Sequence, residues 1–109
     1  MTIMEDCFFC KIVKGENPSK RQFEDESVLV IEDVNPKAPI HLLIIPKIHV
    51  SDLTQDTNNY WSKIGEVAKH LAKEKGLKGF RLVHNAGTSA GVPHMHVHLL
   101  GDVAATREV

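Results

Sequence analysis

The run Pro93-His94-Met95-His96-Val97-His98-Leu99-Leu100 constrains this chain more than any other stretch. Histidine and apolar residues alternate through it, the pattern of a half-buried strand. Successive side chains of a strand point to opposite faces. His94, His96 and His98 therefore share one face, and Met95, Val97 and Leu99 share the other. At about 3.3 Å of rise per residue, neighbouring histidines stand roughly 7 Å apart and the outer pair roughly 13 Å. Three imidazoles in a row pack poorly as core and point to a metal, phosphate or catalytic site.

The rest of the chain must build a scaffold for that strand. Its 109 residues suit a single domain, 1–109, large enough to hold a core without staples. Hydrophobic content of 42% and charged content of 25% place it among ordinary globular domains. A net charge of −1 carries no basic surplus, which argues against nucleic-acid binding. Val28–Ile31 and Ile40–Ile45 are strand-sized apolar runs, too short for a membrane span. Met1–Asp6 has no basic n-region or signal-peptide core, so a cytoplasmic location is expected. There Cys7 and Cys10, a Cys-x-x-Cys pair, read as metal-binding or redox-active rather than as a structural disulfide.

Taken in order, Asp6 to Gly15 reads as a short helix with Asp6 as N-cap and Gly15 as C-cap. Gln22–Glu24 and Val28–Asp33 follow as a hairpin, then a rigid loop Asn35–Pro39 and the apolar strand Ile40–Ile45. His49 lies on the exit from that strand. A long helix is expected over about Asn59 to Lys75, with Trp61, Ile64, Ala68, Leu71 and Ala72 as its core face and Gly76 and Gly79 closing it. Lys69, Lys73 and Lys75 suit its C-terminal dipole, and His70 reads as a surface residue. Phe80–His84 is another strand, and a small-residue loop, Asn85–Gly91, leads into the triple-histidine strand. The expected fold is α+β, an antiparallel sheet of about five strands with one long and one short helix. The loop has neither Walker nor dinucleotide spacing.

Two sites compete for the histidines. A zinc needs ligands converging at about 2.1–2.3 Å, which three histidines in a row on one strand do not easily provide. Cys7 and Cys10 with two histidines would form a closed Cys2His2 set, and His49 and His94 sit at chain bends that can deliver them. A redox role for the Cys-x-x-Cys is weakened by the absence of a preceding strand. His96 and His98, with His41 from a neighbouring strand, suit phosphoryl or nucleotidyl transfer. One neutral imidazole attacks, while another imidazole and the amides of a glycine loop donate to phosphate.

His94-Met95-His96-Val97-His98-Leu99-Leu100 matches the His-φ-His-φ-His-φ-φ signature of the histidine triad (HIT) family. Asp33 to His49 resembles its central block and Cys7 to Pro18 its N-terminal helix, so the likeness covers roughly residues 6 to 100. Within the family the chain most resembles the Hint-like purine nucleoside phosphoramidases, rather than the fragile-histidine-triad dinucleotide hydrolases. The resemblance implies a HIT-like fold that forms a homodimer through the long helix and a strand. It implies His96 as the nucleophile that forms a nucleotidyl-histidine, hydrolysed to AMP or GMP, with His98 and His41 completing the catalytic set. It implies Asn85 and the glycine loop through Gly91 on the phosphate or ribose, and Asp33 on the ribose hydroxyls. Phe8, Phe9, Ile12, Ile31, Val34 and Leu43 would sandwich the base. It further implies a structural zinc on Cys7, Cys10, His49 and His94, with no organic cofactor.

Two departures bear on the substrate. Relatives typically read Gly-Gln-(Ser/Thr/Glu)-Val-x-His before the triad, whereas this chain reads Gly91-Val92-Pro93-His94. The loop is two residues shorter, and the group that touches the phosphate or leaving group has no counterpart. The sequence given ends nine residues after Leu100, which shortens the segment expected to shape substrate choice. The expected activity is cleavage of nucleoside 5′-phosphoramidates or related 5′-nucleotidyl compounds. The alternatives are a nucleotide-binding regulatory module with little turnover, a diadenosine polyphosphate hydrolase, or a zinc hydrolase with its metal at the triad.

Overall fold

The computed structural model describes residues 6–106. The absence of a leader read from Met1–Asp6 falls almost wholly outside them, as do both ends of the 1–109 domain expectation. The chain runs α1 (Phe8–Val13), β1 (Arg21–Glu24), β2 (Val28–Glu32), β3 (Ile40–Pro46), α2 (Tyr60–Glu74), β4 (Phe80–His84) and β5 (Val97–Gly101). The five strands form one antiparallel sheet in the order β1-β2-β3-β5-β4. Among the described residues, no helix is long and apolar enough to cross a membrane.

The sheet is covered on both sides. On one side Val30, Leu42, Ile44, Met95, Val97 and Leu99 pack with Ile64, Val67, Ala68 and Leu71 of α2. On the other, Leu29, Ile31, Leu43 and Ile45 pack with Phe9 and Ile12 of α1. This double cover explains why β2 and β3 are apolar along almost their whole length, since both sets of alternating side chains are buried. His41 is the one polar residue admitted to the interior of β3.

Both helices stop as glycine geometry dictates. After α1, Gly15 has φ +84 and its amide reaches Ile12 O, while Glu16 N reaches Lys11 O. After α2, Gly76 has φ +63, with Gly76 N on Lys73 O and Leu77 N on Ala72 O. These are paired Schellman closures with glycine at the left-handed position. Gly79 takes no part in that closure. The start of α1 differs from the expectation: Cys7, not Asp6, is the N-cap, its Sγ accepting from Cys10 N at 3.4 Å. Asn59 begins α2, but the carboxylate of Asp56 caps the free amides of Tyr60 and Trp61. The buried face is Tyr60, Ile64, Val67, Ala68 and Leu71, an i, i+4, i+7, i+8, i+11 series. Trp61 and Ala72 each lie one step round from it, and Trp61 is 42% exposed.

The largest correction concerns the triad run, which is ladder only from Val97 onward. Residues 94–96 spend their backbone groups elsewhere. Met95 N donates to Val50 O at 2.6 Å, and the carbonyls of His94 and His96 accept from imidazoles. The alternation nevertheless holds: Met95, Val97 and Leu99 enter the α2-side core, while Phe9 of α1 lies against His94 and His96. The histidine rings lean together, with 5.2 Å between the centroids of His96 and His98.

The far end of β5 sets a packing test. A Cβ on Gly101 would lie 2.8 Å from Ile40 Cβ and 3.0 Å from Leu77 Cδ1. Gly101→Val is expected to cost about 1–3 kcal/mol by overpacking. A denaturant midpoint equal to wild type would show that this end of the sheet can open.

Candidate functional site

Register brings the imidazoles together. β3 and β5 pair with Leu43 opposite His98 and His41 opposite Leu100, so His41 is the diagonal neighbour of His98 on the α1 side of the sheet. His41 Nε2 and His98 Nδ1 are 2.9 Å apart. His96, just before β5, completes the row. His41 and His96 are buried, and His98 is partly so.

Backbone partners decide where each ring carries its proton. The Lys37 amide donates to His41 Nδ1 at 2.9 Å, so the His41 proton sits on Nε2. From there it is donated to His98 Nδ1, with Asp33 Oδ2 a longer 3.4 Å away. His98 is thereby left with its proton on Nε2, an outward donor. His96 Nδ1–H donates to His94 O at 2.7 Å, which leaves the Nε2 lone pair of His96 free. A neutral imidazole with one nitrogen tied to a carbonyl and the other bare is what a histidine nucleophile requires.

Burial favours the neutral form of His96 and His98. His98 is pushed down to about 4, first by desolvation and then by the neighbouring His96 and His41, against the pull of Asp33. His96 is also lowered, chiefly by desolvation. For His98 the consequence for folding has a definite sign. Between about pH 6.5 and about 4 the unfolded chain binds a proton at this residue that the folded chain does not, so stability falls as the pH drops through that window. In thermal melts the stability of wild type relative to His98→Leu is expected to decline from pH 7 to pH 4. A constant difference would contradict it.

A cleft of about 710 Å³ adjoins the histidines. All six expected base-contacting residues, Phe8, Phe9, Ile12, Ile31, Val34 and Leu43, line it, together with Asp33. Phe9 joins cleft to histidines, its ring centroid 4.9 Å from that of His96. Asp33 stands at the same border, one oxygen accepting from Asn35 N at 2.8 Å and the other facing His41. Pro18, Ser19, Lys20, Glu32 and Pro36 complete the lining and were not anticipated. Asn85, half-buried after β4, and Gly91, exposed in the loop, are not part of the lining.

The second cluster is Cys7, Cys10, His49 and His94, whose ligand atoms all lie within 4.8 Å of one another. His94 Nδ1 is 3.2 Å from Cys7 Sγ and 3.5 Å from Cys10 Sγ, and His49 Nδ1 is 3.5 Å from Cys10 Sγ. Tetrahedral zinc with its usual bond lengths puts sulfur and nitrogen ligands about 3.5 Å apart, so the set fits that ion. His94 Nε2–H donates to Pro46 O at 2.8 Å, which aims the Nδ1 lone pair at the sulfurs and supplies the outer support typical of a ligating histidine. Burial pushes His94 down to about 4, so no proton competes for that lone pair at neutral pH. Asp33, His41 and His98 also form a compact group. That group does not suit a metal, because the Lys37 amide keeps the His41 proton on the nitrogen that would have to ligate.

The HIT domain family model matches residues 14–104. The chain is 46% identical over 101 residues to the 14 kDa zinc-binding protein of Zea mays, covering 85% of this chain and 79% of that protein. It is 36% identical to the adenylylsulfatase HINT3 of Arabidopsis thaliana, covering 91% of this chain and 53% of that protein. The solved HIT family hydrolase from Clostridium thermocellum superposes with a TM-score of 0.87 at 42% identity, covering 97% of this chain and 98% of that one. The sheet order, the histidine constellation and these matches agree: the chain belongs to the HIT family.

Proposed function

We propose that this chain is a nucleotidyl hydrolase that cleaves nucleoside 5′-phosphoramidates or related 5′-nucleotidyl compounds and releases a purine nucleoside monophosphate. The observation that carries the reading is the bare Nε2 of His96, held by the His94 carbonyl beside an apolar cleft that ends at a carboxylate. The cleft would take the base between Phe8, Phe9, Ile12, Ile31, Val34 and Leu43, and Asp33 would meet the ribose hydroxyls. The His96 Nε2 lone pair would attack the α-phosphorus. The bond from phosphorus to the leaving nitrogen would break, and that nitrogen would depart as the amine after taking a proton from solvent. His98 Nε2–H would donate to a phosphoryl oxygen, polarised through the relay from Lys37 N–H and His41. Water would then attack the same phosphorus and break its bond to Nε2. That step would return the lone pair to His96 and a proton to solvent. Asn85 and the amides around Gly91 would supply further contacts to the phosphate or ribose.

Several observations support the rest of the reading. The relatives include an adenylylsulfatase and a hydrolase. Cys7, Cys10, His49 and His94 would hold zinc, which would brace the backbone next to the nucleophile. The partner we propose is a second copy of this chain, because Phe80 and Leu82 on edge strand β4 and Trp61 on α2 are 40%, 36% and 42% exposed. Adenosine 5′-phosphoramidate tests the activity directly. Release of AMP, with a transient AMP adduct on the protein visible by mass, is the expected result. Binding of AMP without release of product would make the chain a nucleotide-binding module.

A further inference from the structure

His84 has no part in the chemistry described so far, yet it is bonded to the backbone of the proposed nucleophile. It is the last residue of β4, on the edge of the sheet, and its ring lies 5.9 Å from that of Trp61. The Leu53 amide donates to His84 Nε2 at 3.0 Å, which places the His84 proton on Nδ1. That Nδ1–H donates to the carbonyl of His96, also at 3.0 Å. A second clasp lies beside the first: Gly87 N donates to Asp52 Oδ2 at 3.0 Å. The loop after β4 and the turn that opens at Asp52 are thus pinned to each other and, through one imidazole, to residue 96.

We propose that His84 is a positioning residue, its Nδ1–H fixing the His96 carbonyl and with it the direction in which His96 Nε2 points. The inference rests on reading His96 as the nucleophile. His96 lies one residue before the ladder of β5 begins, where its orientation depends on side-chain bonds. Two such bonds hold it, one at each end of the residue: ring Nδ1–H to the His94 carbonyl, and its own carbonyl to His84. Loss of the second lets the peptide turn. A misplacement of about 1 Å in an aligned attack costs up to about 100-fold. His84 lies outside the lining of the cleft, so nucleotide affinity should not change with it.

The test compares wild type, His84→Val and His84→Asn in single-turnover formation of the AMP adduct, alongside AMP affinity by calorimetry and thermal melts. Valine suits the strand but cannot donate, whereas asparagine places an N–H where Nδ1 was. Adduct formation in His84→Val is expected to fall about 10- to 100-fold with AMP affinity within about two-fold of wild type, and His84→Asn is expected to recover most of the rate. Equal rates in wild type and His84→Val would overturn the inference, as would parallel loss of rate, affinity and melting temperature in both variants. If His84→Val does not fold, His84→Asn against His84→Asp, donor against acceptor at one shape, decides it: equal rates refute. A wild type that binds AMP but forms no adduct would overturn the nucleophile reading itself, an outcome separate from unchanged rates in a reactive protein.

Discussion

His96→Ala is expected to abolish AMP release from adenosine 5′-phosphoramidate, with turnover lower by at least about 10³-fold, the scale seen when a nucleophile is removed from a catalytic unit. The size follows from what the side chain supplies. Its Nε2 is the one nitrogen of the triad whose lone pair neither accepts a hydrogen bond nor aims at a sulfur, the others carrying a proton, accepting from His41 or facing the cysteines. His98 cannot replace it, because its Nδ1 accepts from His41 and its Nε2 carries the proton. Affinity for AMP should change little, since Phe8, Ile12, Ile31, Val34 and Leu43 keep the cleft intact. Turnover within ten-fold of wild type would mean that water attacks phosphorus directly. Loss of AMP binding in step with turnover would mean that His96 is a structural residue.

A smaller effect separates the roles of the other two rings. His41→Asn removes the donor to His98 Nδ1 and releases the Lys37 amide. His98 is then free to place its proton on Nδ1 and present a bare nitrogen to the phosphate, which repels rather than binds it. A turnover loss of about 10²–10³-fold is expected, the usual range for a donor to a developing oxyanion. Unchanged turnover would show that the relay has no part in the reaction.

Much of this arrangement was legible in the sequence, and the illegible parts share a physical cause. Alternation placed Met95, Val97 and Leu99 opposite the histidines, and burial of β2 and β3 on both faces is written in their nearly continuous apolar runs. The fold class and the existence of all seven main elements followed from such patterns. Backbone partners did not. Nothing in the letters announces that the Lys37 amide sets the His41 tautomer, that the Pro46 carbonyl aims His94, or that imidazoles take the carbonyls of residues 94 and 96. For the same reason the triad run looked like eight residues of strand, although its first half is held outside the ladder, by imidazoles and by the Val50 carbonyl. His84 was passed over because a histidine ending an apolar strand carries no spacing signal. Trp61 was placed in the core because its spacing fits a helix face, whereas the start of α2 turns Tyr60 inward instead.

The second large effect concerns the cysteine cluster. Purified protein is expected to carry about one zinc per chain, and Cys10→Ser to lose most of it together with a substantial part of its stability. Cys10 is fully buried, and its Sγ approaches both His49 Nδ1 and His94 Nδ1. Removing it strips the site of a sulfur that reaches both histidines, and loss of a structural metal is among the few single changes that cost about 4 kcal/mol or more. The damage should reach the proposed nucleophile, because His94 touches both clusters. The ring of His94 faces the sulfurs while its carbonyl holds His96 Nδ1–H at 2.7 Å. A His94 that swings free therefore also releases His96. Chelation of wild type should lower the melting temperature first, and formation of the AMP adduct should fall with it rather than at once, as it would for a metal that contacts substrate. Zinc content and melting temperature both unchanged in Cys10→Ser would remove the metal from this account. A four-ligand site that loses its buried thiolate cannot keep both.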